Sequence, residues 1–104
     1  MNVPKDARVV ASLGLLLHEN GFAGGTEVGW ERAVMLSRSK TISKSDVKVI
    51  RDWFARHRHV SRVGFFKWLR DGAPLQVNED NKNKYRGAVA WMLWGGEPMY
   101  AQFF

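Results

Sequence analysis

The sequence predicts an all-α fold: a compact bundle of four or five short helices in a single helical domain, residues 1–104. Three observations predict it. Apolar residues return every three or four positions along most of the chain, the period of a helix with one buried stripe. Capping residues and glycines stand at the ends of those stretches, where a helix leaves backbone N–H and C=O groups unpaired. Thirteen aromatics (five Trp, six Phe, two Tyr) give 104 residues the apolar bulk for one core, and the chain is too short for two.

The first predicted helix runs from about Pro4 to Asn20. Pro4 suits a first helical position, where a missing N–H costs nothing, and Gly21 suits the left-handed residue beyond the end. Val9, Val10, Leu13, Leu16 and Leu17 mark its buried face. His18 falls near the last turn, where the helix dipole favours a cation, and reads as a surface cap. The glycines of Gly21-Phe22-Ala23-Gly24-Gly25 permit a tight path into a second helix, Glu27 to Arg38, with Thr26 as N-cap. Val28, Trp30, Ala33, Val34, Met35 and Leu36 supply its apolar side, and Ser37 to Thr41 is a polar, basic connection.

Ser43-Lys44-Ser45-Asp46 forms a capping box, and a third helix follows to about Arg58. Val47, Ile50, Phe54 and His57 share its apolar face, while Lys44, Lys48, Arg51 and Arg58 fall on another. A shorter fourth helix spans Arg62 to Asp71, with Phe65, Phe66, Trp68 and Leu69 as its apolar content and Gly72 as its stop. Residues 72–83, with Pro74 and the run Asn78-Glu79-Asp80-Asn81-Lys82-Asn83, read as an exposed, mobile loop. The fifth helix, Lys84 to Trp94, is apolar nearly all round and belongs at the centre of the core. Gly95-Gly96 ends it, and Pro98 starts a last turn within a C-terminal extension, residues 97–104.

With no Cys, the chain has neither a disulfide framework nor a thiolate zinc site. No apolar run approaches a membrane span, and the N-terminus lacks the basic-then-apolar pattern of a signal peptide, so a soluble chain inside the cell is expected. The net charge of +6 is concentrated: eleven basic residues and two acids, Asp46 and Asp52, lie between Arg32 and Arg70. A segment charged this way attracts phosphate backbones or acidic protein surfaces. Phosphate contacts need Lys and Arg at short helical spacing, which Lys44, Lys48, Arg51, Arg56 and Arg58 provide, with Arg38, Lys40 and Arg62 in support. The alternative for such a run is a solvated face that serves solubility.

A helix-turn-helix arrangement is suggested by the second and third helices, but their connection is long and base-reading Asn or Gln is absent from the cationic face. Arg56-His57-Arg58-His59 is the densest cationic point. Its two histidines lack a third ligand for a metal, and the arginines repel a cation. Acid–base chemistry on a phosphodiester through His57 and His59 is an enzymatic alternative. The plainer reading places His57 toward the core, hydrogen-bonded at a helix end. Gly24-Gly25-Thr26-Glu27-Val28-Gly29 lacks the Gly-Lys-Ser/Thr ending of a phosphate-binding loop, and close packing at a helix entry explains its glycines better. Trp91 and Trp94 next to Gly95-Gly96 have helical spacing and read as core rather than as a base-stacking platform. No paired carboxylates and no Ser-His-Asp set stand out. The expectation is a non-enzymatic binding protein with no cofactor, no metal and no small-molecule substrate.

Three segments occur in order: Gly24-Gly25-Thr26-Glu27-Val28-Gly29-Trp30-Glu31-Arg32-Ala33, then Ser43-x-x-Asp46-Val47 through Trp53-Phe54-Ala55-Arg56-His57, then Ala90-Trp91-Met92-Leu93-Trp94-Gly95-Gly96. Together they resemble a little-characterised module of tailed phages and large DNA viruses, found alone or attached to virion-assembly proteins. The resemblance spans roughly residues 7 to 96. It implies a viral origin, synthesis in the host cell interior and a place in the virion, and it carries no catalytic residues. This chain departs from the pattern after Arg56-His57: His59-Val60-Ser61-Arg62 is basic where the phage versions are more acidic. The expected function is therefore a virion-associated protein whose basic face, residues 32–70, contacts nucleic acid or an acidic capsid surface. The alternative is a minor capsid or cement protein that meets larger subunits through Phe22, Phe103 and Phe104 and has no nucleic-acid role.

Overall fold

The segment poorest in charge lies at the centre of the computed structural model, which describes residues 1–104. Arg86–Leu93 forms this central helix, the fourth of five: α1 (Lys5–Glu19), α2 (Glu27–Arg38), α3 (Lys44–Arg70), α4 (Arg86–Leu93) and α5 (Gly96–Tyr100). The chain is all-α; its one β feature is a lone antiparallel bridge between Asn2 and Thr41. α4 buries Ala88, Val89, Trp91, Met92 and Leu93 and packs against each of the other four helices. A helix apolar all round is stable only when surrounded, and this one is. Gly95, with φ +102°, turns the chain out of α4 directly into α5.

The buried face of α1 differs from the expected one. Val9 is 59% exposed and Leu16 is 42% exposed, whereas the buried line is Ala7, Ala11, Gly14 and Leu17. Small residues win because α1 crosses α4 at close range: a Cβ on Gly14 would stand 2.8 Å from the Leu93 backbone nitrogen. Of the expected face, Val9 and Leu16 are displaced outward, Val10 and Leu13 pack half-buried at its flanks, and Leu17 keeps its buried place. The glycine run before α2 is explained in the same terms. A Cβ on Gly24, whose φ is +143°, would fall 2.6 Å from the Arg86 carbonyl oxygen.

The break expected after Arg58 does not exist. α3 continues through His59-Val60-Ser61 to Arg70 as one 27-residue helix, merging the third and fourth predicted helices. No Pro interrupts those residues, Gly64 lies close against Gly87 of α4, and Ser61 is buried at the same crossing. At 1.5 Å per residue α3 is about 40 Å long, and the longest dimension of the molecule is 40 Å.

Residues 72–83 are largely exposed, as expected, but they are pinned rather than loose. The Trp68 indole donates to the Pro74 carbonyl at 3.0 Å, Asn20 Nδ2 to the Leu75 carbonyl at 2.9 Å, and the Ala23 amide to the Lys82 carbonyl at 2.8 Å. Asn78 Oδ1 accepts from the amides of Asp80 and Asn81, closing a turn on itself. At the other end, the Val3 amide donates to the Lys40 carbonyl and the Ile42 amide to the Met1 carbonyl, which fixes the connection between α2 and α3.

Candidate nucleic-acid interface

The eleven cations between Arg32 and Arg70 divide into engaged and free. Arg32 bonds Asp46 at 2.8 Å, Lys48 bonds Asp52 at 2.8 Å, and Arg51 lies 3.7 Å from the same Asp52. Arg62 holds Glu97 with two bonds, Nε to Oε1 at 2.7 Å and Nη2 to Oε2 at 2.9 Å, and its guanidinium also covers Phe66 and Tyr100. That geometry fastens α3 to α5, so Arg62 is a structural cation rather than a free one. Arg38, Lys40, Lys44, Arg56, Arg58, Lys67 and Arg70 have no carboxylate within 4.0 Å. Arg58 leans over the Phe104 ring at 5.1 Å.

Position on α3 divides them again. At 100° per residue, Lys44, Lys48, Arg51 and Arg58 form a stripe along one flank of α3, beside the buried line of Ile50, Phe54 and Trp68, with half-buried Arg58 nearest to it. Arg56 lies well off that stripe, on the flank nearest the start of α2. Arg38 and Lys40 extend the stripe beyond the start of α3, at the exposed end of α2 and the connection after it. The Ser43 hydroxyl accepts the Asp46 amide at 3.2 Å and donates to its Oδ2 at 3.0 Å, so the helix that carries the stripe begins where the capping box places it. The bond from Arg32, with that of Ser43 behind it, holds the Asp46 carboxyl below its ordinary pKa. Hydrogen bonding to Lys48 does the same for Asp52. The helix-turn-helix arrangement fails on packing: α2 has almost no direct packing with α3, and each instead packs on α4.

The histidines are placed differently from expectation. His57 is exposed in the middle of a helix, and its ring stacks on Trp53 at 4.8 Å instead of facing the core at a helix end. Trp53 in turn stacks on Trp94 at 4.9 Å and 10°, and the Arg32 guanidinium covers Trp94 at 5.6 Å. A continuous column results: His57, Trp53, Trp94, Arg32. His18 stacks on Trp30 at 4.1 Å, joining α1 to α2 rather than standing as a surface cap. No three His, Asp or Glu side chains converge as metal ligands would.

Beside the column lies a cleft of about 460 Å³ between the first turn of α2, the middle of α3 and α4. Thr26, Trp53, Arg56, His57, Ser61 and Trp94 supply its polar and aromatic lining. Among the residues expected to bind a polyanion only Arg56 reaches it, joined by His57 of the acid–base alternative. Thr26 read as a cap and Trp94 as core, and both are: the Gly29 amide donates to the Thr26 hydroxyl at 3.3 Å, and Trp94 is 5% exposed. Ser61 was the available signal, a hydroxyl on the otherwise apolar side of α3.

The aromatic ends separate likewise. Phe22 is 2% exposed and packs against Tyr85, so it belongs to this chain's own core and offers no external contact. Phe103 packs on the core near Phe54, and Phe104 is 53% exposed, stacked on Tyr100. No helix is long and apolar enough to cross a membrane. The chain matches no family model, no curated protein and no solved structure.

Proposed function

We propose that this chain is a non-enzymatic, virus-encoded and virion-associated binding domain whose α3 stripe contacts nucleic acid without sequence preference. The observation that carries the reading is the surplus of unpaired cation. The two acids of the basic segment are taken up by Arg32, Lys48 and Arg51, and seven of the eleven cations keep their charge free of any carboxylate. Free Lys44 and Arg58, with Arg51 between them held only loosely by Asp52 at 3.7 Å, repeat every seven residues, about 10.5 Å apart along one face, a row suited to a backbone of regularly spaced phosphates. α3 contains no Asn or Gln, which favours backbone contact over base reading. The place in the virion rests on the resemblance of the three ordered segments alone.

The test is binding to a labelled duplex across a salt series. Affinity should fall steeply between about 50 and 200 mM salt, as counterion release requires. A triple variant, Lys44→Ala/Arg51→Ala/Arg58→Ala, should flatten the slope of log K against log salt by about 3. An affinity that does not respond to salt overturns the proposal.

A second reading, docking on an acidic protein such as a capsid subunit, is favoured by one feature. Val60, Val63, Phe66 and Leu69 recur every three residues on the far half of α3 and are 79%, 65%, 43% and 45% exposed. Apolar exposure of that extent beside Lys67 and Arg70 fits a protein partner better than a phosphate backbone. Val60→Glu/Val63→Glu should then abolish association with particles and leave binding to the duplex in place.

A further inference from the structure

We propose that the cleft between the start of α2 and the middle of α3 binds a nucleoside monophosphate group, its phosphate held by Arg56 and the donors of the cleft wall, its base laid on the open face of His57. The inference stands on the lining of the cleft and does not need the α3 stripe to bind polymer. Its first support is the account of the indoles. Trp30 donates to the Gly24 carbonyl and Trp68 to the Pro74 carbonyl, while Trp91 is sealed in the core with its N–H unmatched. Trp53 and Trp94 are 8% and 5% exposed and line the cleft, and neither indole donates to a protein atom. The Trp94 N–H is placed at the first turn of α2, since its Nε1 would stand 3.4 Å from a Cβ on Gly29. Ser61, 5% exposed, brings a hydroxyl into the same cleft with no partner of its own.

These groups agree in sign. Indole and guanidinium nitrogens only donate, and no carboxylate lines the cleft. The Glu27 and Val28 amides, the first two of α2, have no backbone acceptor, which adds the positive end of a 12-residue helix. Arg56 stands at the cleft without an acidic partner. A ligand matched to this lining accepts hydrogen bonds and carries negative charge. At about 460 Å³ the cleft lies within the range of small-molecule sites, roughly 300–1,000 Å³, and exceeds what a bare oxyanion fills. Val28, Val49 and Ala90 give it apolar walls. The aromatic column ends on the exposed ring of His57, where a planar base extends the stack. A phosphate joined to a flat ring satisfies both ends.

The five indole N–H resonances of the ¹⁵N-labelled chain provide the readout. On titration with adenosine or uridine monophosphate to about millimolar concentration, those of Trp53 and Trp94 should shift and saturate. Those of Trp30, Trp68 and Trp91 should stay. Arg56→Ala should weaken binding about tenfold, and Ser61→Ala and Trp94→Phe severalfold. Lys84→Ala, which removes equal charge away from the cleft, should leave it within twofold. Thermal melts of each variant separate lost binding from lost folding; Arg56 is exposed, so its variant should melt with the parent. Tighter binding of a 5′-phosphorylated oligonucleotide than of the free nucleotide assigns the group to a strand end, and the reverse order to a free nucleotide. Three results overturn the proposal: no selective shift of the two indoles, saturation by inorganic phosphate as tight as by the nucleotide, or binding unchanged in Arg56→Ala.

Discussion

Gly14 carries two opposing effects that can be weighed. Alanine in a helix interior is favoured over glycine by about 1 kcal/mol, so Gly14→Ala stabilises an isolated α1. In the folded chain the added methyl meets the Leu93 backbone at 2.8 Å, and backbone cannot rotate aside. Overpacking costs typically about 1–3 kcal/mol, so the variant should lower the midpoint of denaturant unfolding despite its better propensity. Asp46 gives a second test at this scale. Its folded pKa is depressed, first by the Arg32 bond and then by Ser43. A depressed carboxylate contributes stability that is present above its ordinary value and lost as pH falls through the folded one, which places the loss below about pH 4. In Asp46→Asn the stability profile should lose that part of its acid limb, as acid titration followed by circular dichroism would report.

At the scale of the element, α3 decides most. Two short helices were the natural reading of residues 43–71, because Arg56-His57-Arg58-His59 is polar enough to pass for a junction. The helix continues because its buried side does: Phe54, Ser61 and Trp68 repeat every seven residues, two turns apart, against α4. Val60 is 79% exposed, so Val60→Pro perturbs only the backbone ladder. In a continuous helix that substitution costs about 3 kcal/mol or more, and in a loop it is nearly neutral. Denaturant unfolding of this one variant separates the two structures. The same continuity explains why the charged stripe is straight and why Arg56, five residues beyond Arg51, leaves it for the cleft.

For the whole molecule, the short helix α5 matters beyond its five residues. Arg62 reaches it through Glu97 and lies over Tyr100, and Met99 is fully buried. Arg62→Ala should therefore cost about 1 kcal/mol of stability for this partly exposed pair, a fall in melting temperature of roughly 4–8 °C. Its effect on binding to a duplex should be smaller than that of Arg58→Ala, measured under the same salt. A loss as large as that of Arg58→Ala would return Arg62 to the interface. The column His57, Trp53, Trp94, Arg32 links α2, α3 and the end of α4 in one aromatic stack, so the cleft and the scaffold share residues. Substitution at Trp94 therefore touches scaffold as well as cleft, whereas exposed Arg56 touches the cleft alone.

The sequence by itself determined the helical class, the second helix with its Thr26 cap, the Ser43 capping box and the central position of the segment before Gly95-Gly96. These follow from local chemistry, because a cap, a glycine and a period of 3.6 act within one or two turns. It also located the positive charge, since charge is a property of residues. Tertiary structure alone decided which face of α1 is buried, because small residues earn their place only when another backbone approaches. It decided the pairing of Arg62 with Glu97, 35 residues apart, and so which cations are free. It made the cleft, whose lining comes from three helices and whose Trp94 reads as plain core when taken alone.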